Sequence, residues 1–207
     1  MIGKIYDCAV DPDLWISTLS DIRELMDLAF LQVNFIDHTF VGPGQTPGMV
    51  AFQTPWDPNW ITRLAPLIHS IPGGDAWFSG DIDTPVSQME LTGEEEFRKS
   101  EFFHEWVKPQ GLRDTLNTPL IKRDGLIGMT VATSYEKRAL FDDADRLAFQ
   151  LLSPHIRRSL LIGGMLDEGR LQFSLYRDLL DHVATGDLIV SDNARMSYAN
   201  SAADRLL

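Results

Sequence analysis

The segment LRDTLNTPLIKRDGLIGMTVATSY, residues 112–135, restricts the fold more than any other part of the chain. Two runs rich in apolar and β-branched residues flank Asp124-Gly125. That dipeptide suits the left-handed backbone of a two-residue hairpin turn. Strands joined this way are antiparallel, and a pair this long needs further strands or helices on its faces to be stable. Two other segments read as strands, LAFLQVNFID (residues 28–37) and MVAFQTPW (residues 49–56), with a short one near residues 86–89. A Gly/Pro-rich loop, VGPGQTPG, joins the first two.

Helix signals lie between the strands. Asp11-Pro12 and Asp57-Pro58 each offer an Asp at the N-cap and a Pro at the first helical position. Thr92-Gly-Glu-Glu95 has the spacing of a capping box, opening a helix to about residue 108 with Phe97, Phe102, Phe103 and Trp106 on it. Asp142 is the expected N-cap of a long helical region to about residue 183. Pro154 should kink that region, and Gly163, Gly164 and Gly169 weaken it, so at least two helical pieces are expected. Leu152, Ile156 and Leu160, then Leu171, Leu175, Leu179 and Val183, form an apolar stripe that suggests packing in cis or in a homodimer. The element order gives an α+β class, an antiparallel sheet with helices on its faces.

Composition narrows the function. The chain has 207 residues, and its net charge of −12 opposes phosphate, which argues against direct nucleic-acid binding by this part. One cysteine excludes an intrachain disulfide and a multi-thiolate zinc site. The start, MIGKIYDCAVDPDLW, lacks the apolar core of a signal peptide, and no run reaches the roughly 20 apolar residues of a membrane span. A cytoplasmic location is expected. His104-Glu105 begins an HExxH pattern, but Lys108 holds the second ligand position, so no metal is expected. No spacing resembles a catalytic arrangement, and no enzyme activity or cofactor is expected.

Four segments in order carry a family resemblance: IYDCAVDPDLWISTLSDI, EWVKPQGLRDTLNTPLIKRDG, FDDADRLAFQLLSPHIRRSL and the tail GDLIVSDNARMSYANSAADRLL. Together they resemble the sensory regions of bacterial LuxR-type helix-turn-helix transcriptional regulators. The tail resembles the first two strands and first helix of a PAS module. The resemblance implies a GAF-like α/β/α sandwich over residues 1–141, a long helical connector over 142–184, and an incomplete PAS-like segment over 185–207. It implies a sensor that binds a small molecule, forms a homodimer, and acts on DNA only through a C-terminal domain outside this chain. A protein-interaction or dimerisation module without a ligand is the alternative.

The aromatic residues Trp56, Trp60, Trp77, Phe78, Phe102 and Trp106 are candidates to line a pocket, with Asp75 as an orienting polar group. Packing in an ordinary core is the competing reading. The pocket pattern of autoinducer-binding domains is matched only in part. Trp60 fits it, Leu64 stands where a Tyr is expected, Asp75 comes two residues late, and Ala76 replaces a Pro. Cys8 reads as a packed small residue rather than a tetrapyrrole attachment point, and Arg157 and Arg158 as exposed helix charges rather than a clamp for an acidic partner.

Overall fold

The computed structural model describes residues 1–37, 49–73, 76, 80–123, 126–181, 188–190, 196–199 and 203. The chain divides into two compact units, Met1–Leu161 and Ile162–Leu207. In the first, helices α1 (Ile2–Val10) and α2 (Leu14–Leu25) lead into strands β1 (Phe30–Asp37) and β2 (Met49–Gln53). Helix α3 (Pro58–Leu64) and a 3-10 turn (Ala65–Ser70) follow, then β3 (Val86–Ser87), α4 (Gln88–Thr92) and α5 (Glu94–Lys99). A π-helical turn (Phe103–Val107) and a 3-10 turn (Lys108–Gln110) precede β4 (Leu112–Arg123) and β5 (Leu126–Tyr135). The last helix, α6 (Asp143–Asp181), contributes residues to both units.

The five strands form one antiparallel sheet in the order β2-β1-β5-β4-β3. This is the antiparallel sheet with helices expected from the element order, in the GAF-like arrangement that the resemblance implies. Arg123 pairs with Leu126, which leaves two residues for the hairpin connection. The Asp124-Gly125 turn itself lies outside the described residues. In the second unit, β6 (Leu188–Val190) and β7 (Met196–Ala199) pair antiparallel, matching the two strands read in the tail.

One face of the sheet is covered by helices. Leu31, Val33, Leu116, Leu120 and Ala132 pack with Ile5 and Cys8 of α1, with Trp15, Leu19 and Ile22 of α2, and with Phe149 and Ile156 of α6. Each fully buried aliphatic side chain here contributes about 1.5–3 kcal/mol. Leu152 and Leu160 lean on the same cluster, so this half of the apolar stripe packs in cis. Gly128 lies on this face because a Cβ there would sit 3.1 Å from Phe35 Cε1, and the small residue gives the ring its place.

The helix-covered face also holds hydroxyls that bond to nothing described. Thr118 and Thr130 face each other across β4 and β5, and Ser153 lies in α6. All three are fully buried, and their hydroxyl oxygens have no hydrogen-bond partner among the described residues. An unpaired buried hydroxyl costs stability, whereas a methyl of similar shape does not. Thr118→Val and Thr130→Val are each expected to raise the unfolding free energy by about 1 kcal/mol. A urea midpoint that moves up at unchanged slope is the supporting result; a midpoint that falls shows that the hydroxyls do have partners.

Several local expectations change. The capping box lies five residues earlier than expected, on α4 and not α5: Glu90 N donates to Ser87 Oγ, and Ser87 N donates to the Glu90 carboxylate. Thr92 instead ends α4, its hydroxyl donating back to the Gln88 carbonyl. Gly93 at φ 82° breaks the chain there, and Ser100 breaks it again in extended backbone. The single helix expected to residue 108 is therefore several short turns. The strand expected over 86–89 stops at Ser87 because the cap begins there. Near the N-terminus, Asp11 Oδ1 accepts from Asp13 N, and the regular helix starts at Leu14, later than Asp11-Pro12 suggested.

The long helix is one continuous run through Pro154 and the glycines, not two pieces. Its start is as expected: Asp145 N donates to Asp142 Oδ1, and Asp142 N donates back to Asp145 Oδ2.

Candidate functional site

The second face of the sheet differs chemically from the first. Register places Gln32, Val131, Asn117 and Val86 in one row across β1, β5, β4 and β3. Phe30, Thr133 and Thr115 form the row on one side, and Asn34, Met129 and Pro119 the row on the other. Side chains in such rows share a face and touch across strands. Val131, on the central strand, is therefore ringed by Gln32, Asn34, Thr115, Asn117 and Thr133. These five uncharged polar residues are all buried, yet Val131 itself is only half-buried.

Two of the five have unmet bonding capacity. Asn34 Oδ1 and Thr133 Oγ1 are buried without a hydrogen-bond partner among the described residues. Asn117 Nδ2 donates to Thr115 Oγ1 at 3.1 Å. Beside this ring lies a cavity of about 50 Å³ bordered by Gly80, Val86, Leu91, Asn117, Pro119 and Met129. That space suits one or two waters and is well below the roughly 300 Å³ of a typical ligand pocket.

The aromatic layer on this face gathers four of the seven residues named from sequence. Phe102 and Trp106 stack with ring centroids 5.4 Å apart and planes 14° apart, and both are buried. Trp106 Nε1 donates to the Trp60 carbonyl at 2.8 Å. Trp56 lies on Phe30 at 4.5 Å and donates through Nε1 to Gln110 Oε1 at 3.0 Å. Trp60 carries the Arg63 guanidinium over its ring at 4.7 Å. Trp56 and Trp60 are half-buried and, with Pro55, Asp57 and Gln110, border an open surface cleft of about 520 Å³. Phe102 and Trp106 are core residues with no part in that cleft. Asp75, Trp77 and Phe78 lie outside the described residues.

The wall of the cavity is tied to the long helix. Asp83, at φ 62°, donates its N–H to the Pro119 carbonyl at 2.8 Å, and its carboxylate receives Arg157 Nη2 at 2.7 Å. Arg157 is thus a half-buried ion-pair partner, not the exposed charge expected from sequence. Glu90 takes both guanidinium nitrogens of Arg146 at 2.6 Å each, in the fork geometry that fixes orientation. The start of α4 is pinned from beneath. Asp114, almost fully buried, accepts from Ser87 Oγ at 2.6 Å, Met89 N at 3.2 Å and Thr115 N at 2.8 Å. Burial pushes the Asp114 carboxyl above its ordinary value, and the three hydrogen bonds oppose that rise.

Among the described residues no cluster of His, Cys, Asp or Glu suits a metal ion, and no helix is long and apolar enough to cross a membrane.

No family model matches the chain, and no characterised protein matches it in sequence. Solved structures match it in fold. The VqsR ligand-binding domain from Pseudomonas aeruginosa aligns over 78% of this chain and 92% of its own, at 15% identity and a TM-score of 0.59. Escherichia coli SdiA aligns over 74% of this chain at 12% identity, with a TM-score of 0.53. The chain spans only 60% of the length of that SdiA structure. CepR2 from Burkholderia cenocepacia, an N-acylhomoserine lactone dependent LuxR family transcription factor, aligns over 77% of this chain and 95% of its own, at 13% identity and a TM-score of 0.51. The chain shares its fold with these three structures.

Proposed function

We propose that this chain is the ligand-sensing and relay region of a cytoplasmic LuxR-type transcriptional regulator. It would bind a small molecule between the second face of the sheet and the aromatic layer of α3 to α5. The observation that carries this reading is the pair of buried oxygens on the sheet, Asn34 Oδ1 and Thr133 Oγ1, which have no hydrogen-bond partner among the described residues. Buried polar atoms normally find a partner, and a ligand supplies one. The fold shared with VqsR, SdiA and CepR2 supports the same site class. Thermal-shift screening against a metabolite library tests it. One compound class that raises the melting temperature, and leaves Asn34 in contact with the compound in a co-crystal, supports sensing. A library with no stabilising compound, together with an interior filled by side chains, removes it.

Signal would leave through the wall of the cavity. A ligand larger than about 50 Å³ must displace the wall that holds Gly80, Val86 and Leu91. Asp83 and Glu90 lie in that same stretch and hold Arg157 and Arg146 of the long helix. The helix would then shift between two arrangements and reposition a DNA-binding domain beyond this chain, with residues 142–184 as connector and 185–207 as the start of a PAS-like module. Glu90→Gln is expected to cost at most about 1 kcal/mol, because the Glu90 side chain is half-exposed. It should still abolish the ligand-induced change in hydrogen exchange over residues 143–161. Exchange that changes as in the unmodified chain would show that Glu90 is not on the route.

A second reading has its own observation. Leu147 and Leu151 of the long helix are 55% and 63% exposed, one turn apart on one side of the helix. Association of two copies through this side would make a dimerisation module without a ligand, on residues other than the Leu152, Ile156 and Leu160 stripe read from sequence, which packs in cis. Light scattering across concentration checks it, and a monomer at every concentration removes it for this chain.

A further inference from the structure

The ring around Val131 constrains what the site takes. We infer that the ligand is an uncharged molecule bearing several hydrogen-bonding groups, at least one of them a donor that meets Asn34 Oδ1. This rests on the sensing function proposed above and specifies its ligand. An alkyl chain or other purely apolar group lying on the sheet is the arrangement it excludes.

Gln32, Asn34, Thr115, Asn117 and Thr133 are amides and hydroxyls placed by register on one buried patch of the central three strands, β1, β5 and β4. A patch built to hold an apolar chain would present aliphatic side chains here, because burying an amide beside a hydrocarbon leaves the amide unpaired. The helix-covered face shows the contrast: the same strands there present Leu31, Val33, Leu116, Leu120 and Ala132. No Asp, Glu, Lys or Arg occupies the three rows, so among the described residues the sheet patch itself offers no counter-charge for an ionised ligand. Lys122 belongs to the next row outward, and its ammonium donates to the Gly80 carbonyl. Asp114 spends its carboxylate on Ser87, Met89 and Thr115. The unmatched acceptor at Asn34 therefore calls for an N–H or O–H. The Thr133 hydroxyl, able to give or accept, tolerates either kind of group.

Asn34 also determines selectivity. A site built to hydrogen-bond a polar group rejects the analogue lacking it far more strongly than an apolar site rejects an added hydroxyl.

The experiment uses the full chain and five probes on one skeleton: benzamide, benzyl alcohol, toluene, benzoate and benzylammonium. Binding is read by saturation-transfer NMR and by thermal shift, for the unmodified chain and for Asn34→Leu. Leucine keeps the branching of asparagine at Cγ and removes the unpaired carbonyl, but its two methyls are bulkier, so urea unfolding first checks that the variant folds. Benzamide is expected to bind about five- to tenfold more tightly than toluene, as one net hydrogen bond allows. Benzoate and benzylammonium are expected not to bind. In Asn34→Leu the preference for benzamide over toluene should vanish while toluene is retained. Tight binding of either ion, or a benzamide preference that survives in Asn34→Leu, overturns the ligand class and leaves sensing in place. Toluene binding as well as benzamide does the same. Failure of all five probes up to their solubility overturns both the class and the pocket. Thr133→Val serves as a second variant, with a smaller expected loss for benzyl alcohol than Asn34→Leu gives for benzamide.

Discussion

Trp106→Ala is expected to lower the unfolding free energy by about 3–5 kcal/mol, the range for truncating a buried aromatic residue. Trp106 is 4% exposed. Its ring stacks on Phe102 and meets Phe30 edge-on at 6.0 Å, so two aromatic rings lose their common neighbour. Its indole N–H holds the Trp60 carbonyl, and its own carbonyl accepts Gln110 Nε2 at 2.6 Å. The substitution therefore opens a cavity and also frees α3 from the π-helical turn. Trp106→Phe separates the two effects. The ring stays, the carbonyl loses its donor, and about 1–2 kcal/mol should be lost. Trp56→Ala should cost less than Trp106→Ala because Trp56 is only half-buried at the cleft. Equilibrium urea unfolding of the three variants measures the ranking. A loss below about 1 kcal/mol for Trp106→Ala would mean the residue is held for a ligand and not for the core.

This ranking bears on how much of the molecule its sequence discloses. The hairpin, the strand order within it and the start of the long helix are legible because each rests on local chemistry: a turn dipeptide, alternation, and a reciprocal Asp142–Asp145 cap. The aromatic residues are legible as a group, but their division into core and cleft is not. Phe102 and Trp106 differ from Trp56 and Trp60 only in what lies above them. The polar ring was missed for a different reason. Leu31-Gln32-Val33-Asn34-Phe35 alternates cleanly, and a polar phase in an antiparallel strand ordinarily means a solvent face. Here a layer of helices covers that phase as well, and only the fold reveals that Gln32 and Asn34 are buried. The signal was present in the alternation of β1 and again in Thr115 and Asn117 of β4, but its meaning depends on tertiary packing. Arg157 was misread for the same reason, since its partner Asp83 lies 74 positions away. The continuity of the long helix through Pro154 shows packing outweighing local propensity: Ile156 and Phe149 are fully buried on either side of it.

Asp114→Ala is expected to cost about 2–4 kcal/mol, because it strands the Met89 and Thr115 amides and the Ser87 hydroxyl in a buried position. Asp114→Asn should be nearly neutral at pH 7, since its carbonyl can accept from the amides and its NH₂ can donate to Ser87 Oγ. The two chains should nevertheless respond differently to acid. Burial raises the folded-state pKa of Asp114 above its ordinary 3.8. Between 3.8 and that raised value, the folded chain keeps a proton that the unfolded chain has released. Stability from this group therefore falls as pH rises through that window and is flat and lowest above it. Asparagine has no such window. The stability of Asp114→Asn relative to its parent should thus be greatest above the window and decline as pH falls toward 3.8. Urea unfolding of both chains across a pH series measures the difference, in which all other titrating groups cancel; a difference that stays flat with pH would show the carboxyl to be solvated. The consequence reaches the relay, because Ser87 caps the helix that carries Glu90, and Glu90 grips Arg146. Asp114→Ala should loosen that cap and raise hydrogen exchange at residues 88–92, whereas Asp114→Asn should leave it in place.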